Sequence, residues 1–192
     1  LMKHSLVIDK LTSIPFGEGI QKIEKQIETS PSIIKVEGLP GASRALFLAR
    51  LIQSISRPIV VVTPDQNTGE KLVGDLKYFY YFYNIKKVFR FFPTWELLPY
   101  ENLSPIAEIS GERLEILNLL HRNENILIVI PVEAFMQCVI PRTELNKRIF
   151  SVIKRQPLER DFLEYFLSDN GYVRGPMVES RGEFSLRGDI VD

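Results

Sequence analysis

Apolar residues in the first two thirds of the chain fall into two alternating kinds of run. Continuous β-branched runs, typical of strands buried in a parallel sheet, alternate with runs whose apolar residues recur every three or four positions, as on one side of a helix. The predicted strands are residues 32–36, 58–63, 87–92 and 125–130. The predicted helices are one around Ile20, Ile23 and Ile27, then residues 45–52 and 67–83, and one that opens with Ser104 as N-cap. This order predicts an α/β fold, a parallel sheet with helices on both faces.

The pattern changes near residue 148. A predicted strand at 149–153 and a predicted helix at 158–168 are followed by Asn170–Gly171, which is typical of a helix end. Two further predicted strands cover residues 172–178 and 182–191. We therefore expect one domain over residues 1–148 and the start of a small α+β domain over residues 149–192. Because the chain stops inside a predicted strand, we expect it to be an excised fragment.

Composition narrows the range of functions. The 24 basic residues equal the 24 acidic residues in number, so no overall field attracts the chain to DNA or to an acidic membrane. Cys138 lies in an apolar run and is predicted to pack in the interior. His4 and His121 are too isolated for a metal site, and half of the aromatic run 78–83 is expected to face the core. No apolar stretch is long enough to span a bilayer, and we expect a cytoplasmic protein.

Residues 38–45 keep the frame of a phosphate-binding loop but not its chemistry. A working loop has the form G-x-x-x-x-G-K-[ST] between a strand and a helix. Gly38 and Gly41 are present, but Ser43 replaces a glycine, Arg44 replaces the lysine and Ala45 replaces the hydroxyl residue that binds Mg²⁺. The segment is predicted to be a degenerate phosphate loop that binds no nucleotide. The alternative is an ordinary glycine-containing turn between a strand and a helix.

Three other segments carry a family resemblance. Residues 92–105 (FPTWELLPYENLSP), with Glu112-Arg113-Leu114 after them, resemble the signature of the bacterial transcription-repair coupling factors, the Mfd family. Residues 128–137 (IVIPVEAFMQ) resemble the strand and following run of that family. Residues 181–192 (RGEFSLRGDIVD) resemble an element that Mfd shares with the excision-repair protein UvrB. UvrB would need an intact loop lysine followed by serine or threonine, so Arg44 and Ala45 favour Mfd.

The resemblance implies an N-terminal UvrB-homology module. Residues up to about 148 would form a degenerate RecA-like, P-loop-like domain, and the remainder would open the small domain that docks UvrA in that family. The complete protein would be an ATP-dependent DNA translocase that displaces stalled RNA polymerase. ATP, Mg²⁺, RNA polymerase and duplex DNA would be bound by its other domains. The fragment itself would have no cofactor and no catalytic residue.

The last predicted strand carries the candidate contact residues. Alternation along a strand places Phe184, Leu186 and Ile190 on one face and Glu183, Ser185, Arg187 and Asp189 on the other. Burial of the first set would point Arg187 outward. The resemblance assigns the UvrA-contacting arginine to Arg187, and Arg181 and Arg174 are nearby, weaker candidates. The alternative is that Arg187 forms an ion pair within the chain.

The leading hypothesis is therefore a non-catalytic binding and regulatory module that recruits UvrA. The alternative from another class is a nucleotide-binding ATPase domain of a UvrB-like helicase. A DNA-binding module is a third hypothesis, which the neutral net charge disfavours.

Overall fold

The structure, a computed structural model, describes residues 18–29, 33–95, 105–188 and 190–192. The chain divides into two compact units. The first comprises Leu1–Phe91 and Asn123–Val132, and the second comprises Phe92–Arg122 and Glu133–Asp192. The predicted division into residues 1–148 and 149–192 stays a prediction.

Helices and strands alternate only between residues 43 and 135 of the described chain. In chain order they are α1 (Glu18–Thr29), α2 (Ser43–Ser54), β1 (Ile59–Thr63), α3 (Gln66–Phe82), β2 (Val88–Phe91), α4 (Ala107–His121), β3 (Ile126–Pro131), α5 (Val132–Phe135), α6 (Arg142–Lys147), α7 (Arg160–Asp169), β4 (Val173–Arg174), β5 (Glu183–Phe184), β6 (Leu186–Arg187) and β7 (Ile190–Val191). The predicted elements that became α1, α2, α3, β1, β2, β3 and α7 are confirmed with small shifts of their ends. Ser104, the predicted N-cap of α4, lies outside the described residues.

The first unit is built on a parallel sheet of three strands. Their order is β1-β3-β2, with Val61 opposite Val129 and Phe89 opposite Leu127. Every residue of β3 is buried, as its continuous apolar sequence predicts for a central strand. The predicted α/β class with a parallel sheet is confirmed.

Helices α2 and α3 supply the rest of the core of this unit. The buried cluster consists of Ala45, Ala49, Ile52, Leu76, Tyr80, Leu127 and Val129. The aromatic run at the end of α3 splits as predicted, because Tyr80 packs inward with its ring 4.5 Å from that of Phe89, while Tyr78 and Tyr81 are exposed. Helix α3 begins after Asp65, whose carboxylate accepts a hydrogen bond from the Thr68 N–H at 2.7 Å.

The strand predicted at residues 32–36 is wrong over the part that the structure describes. Residues 33–40 form no helix or strand, and Ile33 is fully exposed. Lys35 and Glu37 lie in the same stretch and are exposed, and the Lys35 Nζ is 2.5 Å from the Glu37 Oε1 in an ion pair. A β-branched run makes a strand only where a neighbouring strand accepts its backbone hydrogen bonds, and the three strands of this sheet pair without it.

The second unit has α4, α6 and α7 with two small sheets. Strands β4 and β5 pair in parallel, and β6 and β7 pair antiparallel. Helix α7 contacts the preceding segment through rings: the Phe150 ring lies 5.3 Å from that of Phe162 and 5.4 Å from that of Phe166. The predicted helix end is confirmed, since Gly171 adopts φ +85° directly after α7.

Three predicted strands of the second unit need correction. Residues 149–153 form no strand, because Phe150 packs against α7 while Val152 and Ile153 remain exposed without a partner strand. The strand predicted at 172–178 shrinks to the two residues of β4. The strand predicted at 182–191 divides into β5, which pairs with β4, and into β6 and β7, which pair with each other because Gly188 at φ +59° turns the chain back.

Candidate functional site

Residues 38–45, which the sequence predicts to be a degenerate phosphate loop, fold back on themselves. Gly38 and Gly41 have φ of +78° and +54°, values that glycine adopts without strain. The Ser43 hydroxyl donates to the Pro40 carbonyl at 2.6 Å, and the Arg44 Nε donates to the Leu39 carbonyl at 3.2 Å. Two side chains at positions that contact phosphate in a working loop are thus bonded to the loop backbone.

Ala45 stands where a working phosphate loop has serine or threonine. Its side chain is fully buried in the core cluster of the first unit, beside Ala49 and Ile52. A serine or threonine hydroxyl in the same orientation would face apolar side chains, where an unpaired hydroxyl is costly. The absence of nucleotide binding stays a prediction.

Arg187 lies on β6 in the second unit, and its side chain is exposed. Its guanidinium forms no hydrogen bond or ion pair with any other residue that the structure describes. Across the strand pair it faces Ile190, which is 63% exposed. An unpaired guanidinium and an apolar side chain therefore lie side by side at the surface.

The strand faces predicted around Arg187 are partly wrong. Phe184 is buried and Leu186 half-buried, as predicted, but Ile190 is exposed and Ser185 is buried. The turn at Gly188 ends the alternation, so Ile190 no longer belongs to the face of Phe184. Ser185 is held inside because its backbone exchanges two hydrogen bonds with Asp192 and its hydroxyl donates to the Pro176 carbonyl at 3.0 Å. Asp189 lies outside the described residues.

The other two candidate arginines have partners within the second unit. The Arg181 Nη1 donates to the Glu108 carbonyl at 3.3 Å, and the rest of the side chain covers Gly111. A Cβ added at Gly111 would lie 2.5 Å from the Arg181 Cδ. Arg174 of β4 forms an ion pair with Glu164 of α7. The three arginines that the sequence groups together therefore differ in whether their guanidinium has a bonding partner among the described residues.

A further cluster in the second unit was not predicted from the sequence. The Arg113 guanidinium carbon lies over two rings, 4.4 Å from the centroid of Phe92 and 4.1 Å from that of Trp95. Its Nη1 donates to the Pro93 carbonyl at 2.7 Å and to the Gln137 Oε1 at 2.9 Å. The spacing of Trp95 and Arg113 along the chain does not predict this contact, because the contact depends on how α4 packs.

The remaining candidate residues of the sequence are placed as follows. Cys138, predicted to pack inside, is exposed, since α5 ends at Phe135 and the apolar run after it enters no further element. The His121 Nδ1 accepts a hydrogen bond from the Arg142 Nε at 3.0 Å, and His4 lies outside the described residues. Among the described residues, no group of histidine, cysteine and carboxylate side chains could hold a metal ion, and no helix could cross a membrane.

Comparison with known proteins gives the family. No family model matches the chain. A transcription-repair-coupling factor from Myxococcus xanthus is 34% identical over 163 residues, which are 83% of this chain and 14% of that protein. The factor from Escherichia coli (strain K12) is 29% identical over 154 residues, 80% of this chain and 13% of that protein. The chain belongs to the transcription-repair-coupling factor family.

The chain is also similar in sequence to UvrB. The UvrABC system protein B of Pseudomonas putida is 26% identical over 184 residues, 91% of this chain and 27% of that protein. The family predicted from residues 92–105, 128–137 and 181–192 is confirmed. The coupling-factor segment spans only a small part of the proteins that it matches, and the altered residues Arg44 and Ala45 lie within it.

Proposed function

We propose that this coupling-factor segment is a non-catalytic docking module that recruits the excision-repair protein UvrA through Arg187. The observation that carries the proposal is the state of the three candidate arginines. Arg174 is paired with Glu164 and Arg181 with a backbone carbonyl, whereas Arg187 is exposed and has no partner among the described residues. Arg187 is the guanidinium that a partner can bind without breaking an internal contact.

The surroundings of Arg187 suit a carboxylate on the partner. A guanidinium offers two parallel N–H groups to the two oxygens of a carboxylate, and such pairs are strong when water is excluded. Ile190 beside it supplies apolar surface that excludes water once it is covered. Arg181 and Arg174 would lie at the edge of the contact or support it from within the unit.

We further propose that the first unit is a degenerate RecA-like domain that serves as a scaffold and binds no nucleotide. The parallel sheet and the position of the loop before α2 support this assignment. The internal bonds of Ser43 and Arg44 and the burial of Ala45 support the loss of nucleotide binding.

The complete protein would be an ATP-dependent DNA translocase of the cytoplasm. The name of its relatives, transcription-repair-coupling factor, supports a role between transcription and repair. ATP and Mg²⁺ would serve a motor elsewhere in that protein, and RNA polymerase and duplex DNA would be bound by other domains.

The test of UvrA docking is a charge reversal with a matched control. Arg187→Glu in the 192-residue chain is expected to weaken binding to purified UvrA by about 100-fold or more, measured by calorimetry. Arg160→Glu is the control, because Arg160 is exposed in the same unit and the change alters the net charge equally. Equal affinities for the Arg187→Glu and Arg160→Glu variants would refute Arg187 as the contact.

A titration with Mg-ATP separates the scaffold from the rival ATPase domain. The rival has support in the UvrB relatives, which match 91% of the chain. We expect no saturable heat of binding at micromolar to millimolar nucleotide. Saturable binding in the micromolar range, lost in Arg44→Ala, would favour the ATPase.

A further inference from the structure

The cluster around Arg113 has the chemistry of a binding site for a cation. Aromatic faces and carbonyl oxygens attract positive charge, and both are neutral. Arg113 is 2% exposed, and burial lowers the pKa of its guanidinium. No carboxylate of the described residues forms an ion pair with it. The two rings and the two oxygens are therefore the groups that replace the water around this charge.

One acceptor of the cluster also has a hydrogen bond to a residue other than Arg113. The Gln137 Oε1 also accepts a hydrogen bond from the Trp95 backbone N–H at 3.2 Å. Pro93 lies between the two ring-bearing residues, so its carbonyl is fixed by the same short segment of backbone. The bond from Trp95 therefore ties Gln137 to the ring-bearing segment in addition to the bonds that Arg113 makes.

We propose that Phe92, Pro93, Trp95 and Gln137 form a cage that selects a planar guanidinium cation, which this chain fills with its own Arg113. The occupied cage fastens the segment that leaves β2 to helix α4 and to the turn after α5. Arg113 is thus a positioning residue for Phe92–Trp95. The cage keeps its preference for a guanidinium over an ammonium of the same charge when the arginine is removed, because the flat cation covers both rings and an ammonium does not.

The experiment uses Arg113→Ala and the single tryptophan of the chain. Trp95 is a wall of the cage, so its fluorescence reports occupancy directly. Methylguanidinium is titrated against methylammonium at equal ionic strength. We expect a saturating change in Trp95 emission and a rise in melting temperature with methylguanidinium, at concentrations on the order of 1–50 mM, and at most about a third of that change with methylammonium.

Two proteins control the experiment. The unchanged chain already has Arg113 in the cage and should show no saturating response. Arg122→Ala removes an exposed arginine from the end of the same helix and should behave like the unchanged chain. Three results would overturn the proposal. The first is an equal response of Arg113→Ala to the two cations, and the second is a saturating response in either control. The third is the absence of a saturating response in all of the proteins.

If Arg113→Ala is unfolded in buffer, the same titration is followed by far-ultraviolet circular dichroism. Recovery of the helical signal with methylguanidinium but not with methylammonium supports the cage. Recovery with both cations, or with neither, overturns it.

Discussion

Arg187 of β6 lies directly opposite Ile190 of β7, and both side chains are exposed. Residues opposite each other on an antiparallel pair have their Cβ atoms within about 5.5 Å. A partner that reaches the guanidinium must therefore cover Ile190 as well. The charge and the apolar contact belong to one surface.

Ile190→Ala should weaken UvrA binding without harming the fold. Loss of the apolar contact is expected to lower the affinity by about three- to tenfold, less than the charge reversal at Arg187. The thermal midpoint should change little, because the side chain is largely exposed. An unchanged affinity, measured by the same calorimetry, would contradict the apolar contact.

Two glycines of α3 should respond oppositely to alanine. A Cβ at Gly69 would lie 2.8 Å from the Phe91 Cε2 and 3.0 Å from the Thr63 Oγ1, while nothing lies within 4 Å of a Cβ at Gly74. Gly69→Ala should destabilise the chain by about 1–3 kcal/mol through overpacking. Gly74→Ala should stabilise it by about 0.5–1 kcal/mol through helix propensity. Urea unfolding of the two variants checks both signs, and equal midpoints would show that Phe91 moves aside.

Lys87 should stabilise the C-terminal end of α2. Its Nζ donates to the Ile52 carbonyl at 2.5 Å and to the Ile55 carbonyl at 3.1 Å. The ammonium thus satisfies terminal carbonyls and opposes the negative end of the helix dipole. Lys87→Met should cost about 1–3 kcal/mol of unfolding free energy.

The control for Lys87 is its neighbour Lys86, which is exposed. Lys86→Met should change the stability by less than about 0.5 kcal/mol. Similar losses in the two variants would mean that the charge, and not the contact with the helix end, is responsible.

Asp65 should make stability depend on pH below 4. The hydrogen bond from the Thr68 N–H holds the pKa of Asp65 below its ordinary value of 3.8. Because the folded pKa is the lower one, the contribution of Asp65 is complete above about pH 4 and is lost as the pH falls through the folded pKa. Asp65→Asn retains an oxygen that accepts the bond but does not titrate.

The measurement is the melting temperature of both proteins between pH 7 and pH 2.5. As the pH falls, the melting temperature of the unchanged chain should decrease relative to that of Asp65→Asn. Asp75→Asn, on the same helix, controls for the loss of one carboxylate. A difference that stays constant over this range would contradict the cap.

Gln137→Glu should stabilise the second unit. The Arg113 Nη2 is buried and has no hydrogen-bond acceptor among the residues that the structure describes, while its Nη1 is bonded to the Gln137 Oε1. A carboxylate keeps that oxygen, adds a second acceptor beside it and supplies the missing negative charge. We expect a gain of about 1 kcal/mol at pH 7, and a loss of about 1–3 kcal/mol in Gln137→Leu, which removes the acceptor. Chemical unfolding of both variants tests the order of stabilities, and a Glu variant less stable than the unchanged chain would refute it.

Two strands of the first unit could be predicted from the sequence, although the burial expected of both holds only for β3, since Val60 and Val62 of β1 are exposed. Val60–Val62 and Ile126–Ile130 are continuous apolar runs, and both became strands. The run at 149–153 has the same local composition but no partner strand, and Val152 and Ile153 are exposed. Strand pairing is a property of the neighbours of a run, so local pattern alone could not separate these cases.

The candidate surface was predictable in part. Arg187 could be identified from the family element at residues 181–192, and its side chain is exposed in the structure. Which of the nearby arginines is internally bonded could not be found, because Glu164 and the Glu108 carbonyl come from other helices. The buried Arg113 was hidden for the same reason, since its rings and acceptors come from different elements.

The central place of β3 has a consequence for synthesis of the chain. Strands β1 and β2 are made first, yet each pairs with β3 and not with the other. A growing polypeptide on the ribosome therefore carries two apolar strands that stay unpaired until Ile126 to Pro131 have left the exit tunnel. Until then these strands are open to chaperones and proteases, and folding of the sheet is completed only after residue 131 has emerged.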